Sequence, residues 1–186
     1  MTTLRPWEVE RAREFAALRG RRIESWVGEE LALREDFQGL GPQFDDPEVP
    51  FLQMNGLQAN LDHGDALSIS DYQADEGWGL FPWPGAHFEY QPKDRIYRRR
   101  PLPELPVGDV DEVVVLADGE TGLLAELRMV IGGTPLSLVS GEVQERMNGT
   151  LSIARLDECV LVFTNPADVD RVPWINPLTN LVPVHR

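Results

Sequence analysis

The chain has 186 residues, 42% of them apolar, and a formal net charge of −14, so it can bury a sizeable core and is too acidic to favour nucleic acid or an anionic membrane surface. That apolar content excludes disorder as the default, no apolar run approaches the roughly 20 residues of a membrane span, and the N-terminal Met1-Thr-Thr-Leu-Arg-Pro-Trp-Glu lacks the apolar segment of a signal peptide. One cysteine, Cys159, excludes an internal disulfide and a cysteine-based metal cluster, and the expectation is a soluble cytoplasmic protein.

Residues 5–19 read as a helix. Pro6 suits a first turn, Glu8 and Glu10 suit the positive N-terminal end, Arg19 suits the other end, and Gly20 stops it. Trp7, Phe15 and Leu18 share one face, so this N-terminal unit, residues 1–20, is expected to pack on the main body.

The helical period fades after Ile23. Residues 29–37 fit a short helix or a strand, and Gly39-Leu-Gly-Pro with Asp45-Asp-Pro-Glu-Val-Pro forms a loop. Leu57-Gln-Ala-Asn-Leu alternates cleanly, and Leu67-Ser-Ile-Ser-Asp-Tyr resumes the alternation after a turn at Asp62-His-Gly-Asp. These runs define a first β unit over residues 21–86. Six prolines between 82 and 106 exclude a central strand or a long helix there, and residues 87–106 form a Pro/Arg-rich connection.

Residues 107–186 carry the clearest β pattern and form a second β unit. Val113–Leu116, Leu127–Ile131, Leu136–Val139, Thr150–Ile153 and Val160–Phe163 are separated by Asp118-Gly, Gly132-Gly, Asn148-Gly and Leu156-Asp-Glu. Such spacing predicts an antiparallel meander, with Asn148-Gly149 as its best two-residue turn. Leu57–Leu61 with Leu67–Ile69 matches Leu127–Ile131 with Leu136–Leu138 at offsets of 70 and 69. Either the chain holds a duplicated β unit, or these are two ordinary hairpins of similar length. The predicted fold is mainly β (α+β): an N-terminal helix on antiparallel sheets, as one sandwich- or barrel-like body or as two tandem related β units.

Acid is unevenly spread. Residues 29–86 hold twelve Asp/Glu against Arg34 alone, and residues 104–170 hold thirteen against three arginines. The flanking and joining segments are net positive, and Arg95–Arg100 is the basic run among them. Two acidic bodies suit a basic partner, and the arginine run suits a clamp onto those bodies or onto an acidic partner.

No catalytic or cofactor signature is present: no Gly-x-Ser-x-Gly elbow, no phosphate loop, no dinucleotide fingerprint. His63, His87 and His185 are scattered, which argues against zinc, and no cofactor is expected. Cys159 opens an apolar run and reads as an inert core thiol, its pKa raised if Asp157 and Glu158 lie close. Asp62, His63 and Asp65, with Asp71 nearby, are weak metal candidates in what otherwise reads as a solvated turn. Aromatic residues Trp78, Trp83, Phe88 and Tyr90 sit among Gly and Pro, either as a binding surface or as anchors of the connection. The expected function is a non-catalytic acidic binding protein, an immunity or inhibitor protein for a basic partner, using Asp45, Asp46, Glu48 and those aromatics. The alternative is a small-molecule-binding β domain or an enzyme with a site between the two halves.

Overall fold

The computed structural model describes residues 4–87 and 95–185. Helix α1 spans Pro6–Ala16. Its start is fixed by Pro6 and by the Arg5 backbone N–H, which donates to Glu8 Oε2 at 2.8 Å. Residues 17–20 turn away, and Gly20 takes a φ of 81°, so the helix ends three residues short of the predicted bound. Ala12, Phe15 and Leu18 are buried in the main core, while Trp7 packs edge-on against Tyr72 at 4.8 Å.

Ten strands follow: β1 Arg22–Leu31, β2 Leu52–Leu61, β3 Ala66–Ala74, β4 Gly77–Pro84, β5 Tyr97–Pro101, β6 Gly108–Asp118, β7 Leu124–Ile131, β8 Thr134–Glu145, β9 Leu151–Phe163 and β10 Leu181–His185. They form one sheet in the order β4-β3-β2-β9-β8-β7-β6-β1-β5, with β10 on β6. A further β1–β2 pairing turns β1, β2, β9, β8, β7 and β6 into a ring. The ring is thinnest where Arg22 and Ile23 face Asp109 and Gly108. The fold is therefore mainly β, with α1 packed on the antiparallel sheet as the sequence predicts. Pro82, Pro84 and Pro101 fall on β4 and β5, the two ends of the strand order, where a missing N–H costs no ladder bond on the free side.

Hairpins β2–β3 and β7–β8 share a local register: Leu57 faces Ile69, and Leu127 faces Leu138. Their surroundings differ, since β2 also pairs with β1 and β9, and β7 also pairs with β6. Strands from residues 21–86 and 107–186 thus interleave in one sheet.

The tight two-residue turn is Gly132-Gly133, with φ of 55° and 79°, between the paired Ile131 and Thr134. Asn148-Gly149 lies in a longer loop instead. There the Arg146 N–H donates to the Thr150 carbonyl at 2.9 Å, and the Asn148 side chain accepts from the Thr150 hydroxyl at 2.7 Å. The predicted break at Leu156-Asp-Glu is also absent, because β9 runs unbroken through it. Val160 pairs with Ser140 and Arg155 with Gly141, so residues 156–159 have no partner on β8 and form a wide bulge. Both apolar arms of β9 find the same long strand β8, and the excess between them is extruded. Leu156 takes a φ of 54°, the left-handed region that leucine rarely visits.

The main core fills the ring with residues such as Trp26, Leu57, Leu127 and Leu138. Opposite faces of β8 and β9 bury a second cluster, with Val139, Val143, Leu161 and Phe163 covered by Leu33, Phe51, Val169 and Val172. Covering on both sides explains why β8 and β9 are apolar at successive positions.

Candidate functional site

The β9 bulge is the most unusual local feature of the sheet. It projects Asp157 and Glu158 beside Glu142 of β8 and Asp71 of β3, and the charges of these groups act on one another. The β3–β4 hairpin docks on the same bulge. Gly77 sits so close that a Cβ there would lie 3.0 Å from the Leu156 carbonyl oxygen, which requires glycine. Ser140 Oγ lies 3.0 Å from the Trp78 carbonyl and 3.3 Å from that of Asp157, joining hairpin and bulge. Gln144 Nε2 donates to Asp157 Oδ2 at 2.9 Å.

Burial first, and then the Glu158 and Asp157 charges, push Asp71 up to about 6. Burial followed by Asp157 and Glu158 pushes Glu142 up to about 7. Asp71 Oδ2 is buried without a hydrogen-bond partner. Burial, reinforced by these carboxylates, also raises the Cys159 thiol, so the sulfur stays protonated and unreactive. Among the described residues, none of the four carboxylates forms an ion pair.

That isolation contrasts with several acids elsewhere in the fold. Glu30, 2% exposed, is clamped by Arg98 and by Arg100, the latter at 2.8 Å. Burial pushes its carboxyl up, but hydrogen bonds from Arg100 and Arg98 outweigh it and hold the pKa below the usual value. The basic run on β5 therefore serves the chain's own acidic body. Glu126, fully buried, is met by Arg128 at 2.8 Å and Arg155 at 3.4 Å. Asp46 meets Arg34 at 2.8 Å, and Asp62 and Asp65 share Arg21 at 2.7 and 2.9 Å.

A cavity of about 440 Å³ adjoins the bulge, between the end of β1, the start of β5 and β8. Among the described residues, Glu35, Glu142, Glu145 and Glu158 line it against one arginine, Arg34, and Tyr97 stands at its wall. Arg34 is already committed to Asp46 and stands 3.8 Å from Glu145. The arrangement concentrates negative potential in a concave, partly desolvated space, which attracts a cation.

The predicted site residues fall on separate elements. Asp45 is 82% exposed and 3.7 Å from Arg98, whereas Asp46 is 14% exposed and bound to Arg34. Glu48 is exposed, and its N–H donates to Asp46 Oδ1 at 2.9 Å. Trp78 opens β4 beside Ser140. Trp83 is 45% exposed, donates from Nε1 to Ser70 Oγ at 2.9 Å, and lies 4.6 Å from the Phe81 ring. Phe88 and Tyr90 lie outside the described residues. Asp62 and Asp65 spend their charge on Arg21, His63 points to solvent with a φ of 63°, and Asp71 joins the bulge cluster instead. Among the described residues no group of three His, Cys, Asp or Glu side chains is arranged to hold a metal. Glu142, Asp157 and Glu158 were not among the predicted site residues, and the sequence signal for them is the Asp-Glu pair interrupting an apolar strand.

Comparison with family models, with curated proteins and with solved structures finds no match.

Proposed function

We propose that this chain is a non-catalytic acidic binding protein whose partner is a basic protein, in the manner of an immunity or inhibitor protein. The observation that carries this reading is the uncompensated carboxylate group at the β9 bulge. Buried or half-buried Glu30, Glu126 and Asp46 are met by the chain's own arginines, while Asp71, Glu142, Asp157 and Glu158 are not. Gathering like charge without an internal counter-charge lowers stability, and a cation from outside offsets that cost. A guanidinium or ammonium group entering the cavity would satisfy Glu142 and Glu158 together. The net charge of −14 speeds such an encounter by steering.

The test is binding of an arginine-rich peptide, measured by calorimetry across a salt series, for the wild-type chain and for a Glu142→Gln/Glu158→Gln variant. The expected result is salt-sensitive binding that weakens at least about tenfold in the variant. Equal affinity in the two proteins would remove the cavity from the binding surface.

One observation favours a second reading, a small-molecule or catalytic site between the two halves. The cavity lies between residues 31–35 and residues 142–158, and a carboxyl that titrates at about 7 is poised for acid–base work. Stabilisation by small amines such as spermidine, and not by arginine-rich peptides, would favour it.

A further inference from the structure

We infer that the groove beside the acidic loop of residues 44–51 receives an extended, arginine-bearing segment of a basic protein; this rests on the binding reading above and gives it a second, independent contact surface. The groove holds about 510 Å³ between that loop, the start of β2 and the end of β9. This lies within the roughly 300–1,000 Å³ typical of concave binding sites. Its walls are mostly apolar, with Phe44, Val49, Phe51, Leu52 and Val162. Phe51 is fixed from below by the Phe163 ring at 4.9 Å. Pro47 and Pro50 hold the loop in a restricted conformation, so little order is lost on binding.

The rim supplies the charge complementarity. Asp45, Asp46 and Glu104 line the groove, and Glu48 stands between Pro47 and Val49, which line it too. Three arginines reach this rim, but Arg98 and Arg100 are shared with buried Glu30, and Arg34 is taken by Asp46. Glu48 forms no ion pair among the described residues. The balance is negative, with its most accessible charge at Asp45 and Glu48.

The chain itself shows how this surface takes a guanidinium. The Arg98 carbon Cζ lies 4.2 Å over the Phe44 ring, and its Nη2 is 3.7 Å from Asp45 Oδ2. A planar guanidinium exploits both the ring and the carboxylate, whereas a lysine ammonium does so less well. A partner arginine reaching Asp45 and Glu48 would lay its methylenes on Val49 and Pro50, and the next apolar side chain would enter the floor.

The test uses a short peptide alternating arginine and leucine, and a lysine–leucine counterpart, titrated by calorimetry at low salt into the full chain. The variants are Asp45→Arg, Glu48→Arg and Thr164→Arg, all at exposed positions, with Glu112→Arg on β6 as the distant charge control and thermal unfolding as the check on folding. Thr164 lines the groove, so its replacement fills the space with the chain's own cation. The expected result is binding of the arginine peptide, tighter than the lysine peptide, weakened about tenfold by each groove variant and little changed by Glu112→Arg. Binding that survives all three groove variants but is lost in Glu142→Gln/Glu158→Gln would overturn the groove and leave the cavity reading standing. Absence of binding to the wild-type chain would overturn both.

Discussion

Asp71 and Glu142 set the behaviour of the molecule near neutral pH. Both carboxyls are raised in the fold, to about 6 and about 7. The native state therefore holds their protons over a window in which the unfolded chain, titrating near about 4, has lost them. Their contribution to stability is fully present below that unfolded value and is lost as pH rises through the folded values. Chemical denaturation between pH 4 and pH 8 is expected to show a declining midpoint that Glu142→Gln and Asp71→Asn flatten. An unchanged slope in both variants would contradict the raised carboxyls at the bulge. His63 gives a second residue-scale prediction. It is 85% exposed and held at a φ of 63°, so His63→Gly is expected to stabilise the chain by up to about 1 kcal/mol, read from the denaturation midpoint. A metal role for this turn would instead show as a metal-dependent melting shift lost in the same variant.

At the scale of elements, β5 depends on a buried charge group. Glu30→Gln leaves Arg98 and Arg100 close together with only the outer carboxylates of Asp45 and Glu104 to neutralise them, and a loss of about 1–3 kcal/mol is expected. Faster amide hydrogen exchange in residues 97–101 than in β7 would locate the loss on that strand. The C-terminal wrap is held differently. Asn176 accepts from the Arg155 N–H at 2.7 Å and donates to its carbonyl at 2.8 Å, and the Arg155 guanidinium covers Trp174 at 4.4 Å. Asn176→Ala is expected to cost about 1–3 kcal/mol in thermal or chemical unfolding, because both partners are backbone groups left unsatisfied.

These elements differ in how legible they were. Leu57–Leu61 and Leu127–Ile131 alternate because one face of each packs into the ring, and a one-face pattern is visible in any single strand. The start of the helix was legible from Pro6, since it is set by local backbone preferences, whereas its last turn stops at Ala16, ahead of Gly20. The bulge was not. Asp157-Glu158 reads as a turn in isolation, and only the continuity of β8 across the gap makes it an extrusion. The Asn148-Gly149 pair misled for a related reason, as its turn chemistry is real but the loop length is set by where β8 and β9 resume pairing. Charge pairing was partly legible: the arginine run at 95–100 matched the acidic bodies by sign. Which acids it neutralises follows from the register of β5 on β1, with Arg98 opposite Glu30, and that register is non-local.

For the whole molecule, the acidic excess becomes a pattern in space once the internal pairs are set aside. Asp46, Asp62, Glu30 and Glu126 are spent on the fold, and the bulge, its cavity and the exposed side of loop 44–51 are among the places that keep uncompensated charge. Ring closure through β1–β2 and β2–β9 joins distant stretches of the chain, and no local stretch of sequence encodes those pairings. Among the described residues no helix is long and apolar enough to cross a membrane. Steered association of this kind slows as salt rises, since the screening length falls from about 10 Å at 0.1 M to about 3 Å at 1 M. Association with a basic partner is expected to slow by at least about tenfold over that range in stopped-flow mixing, with a smaller change in the dissociation rate.

The measurement that bears most directly on the binding reading is capture from native cell lysate at low and high salt. It compares the wild-type chain with the Glu142→Gln/Glu158→Gln variant and identifies bound proteins by mass. The account predicts one basic protein in stoichiometric amount on the wild-type chain, partly released by salt and strongly reduced on the variant. Empty wild-type lanes at both salts, or equal capture by the variant, would contradict it.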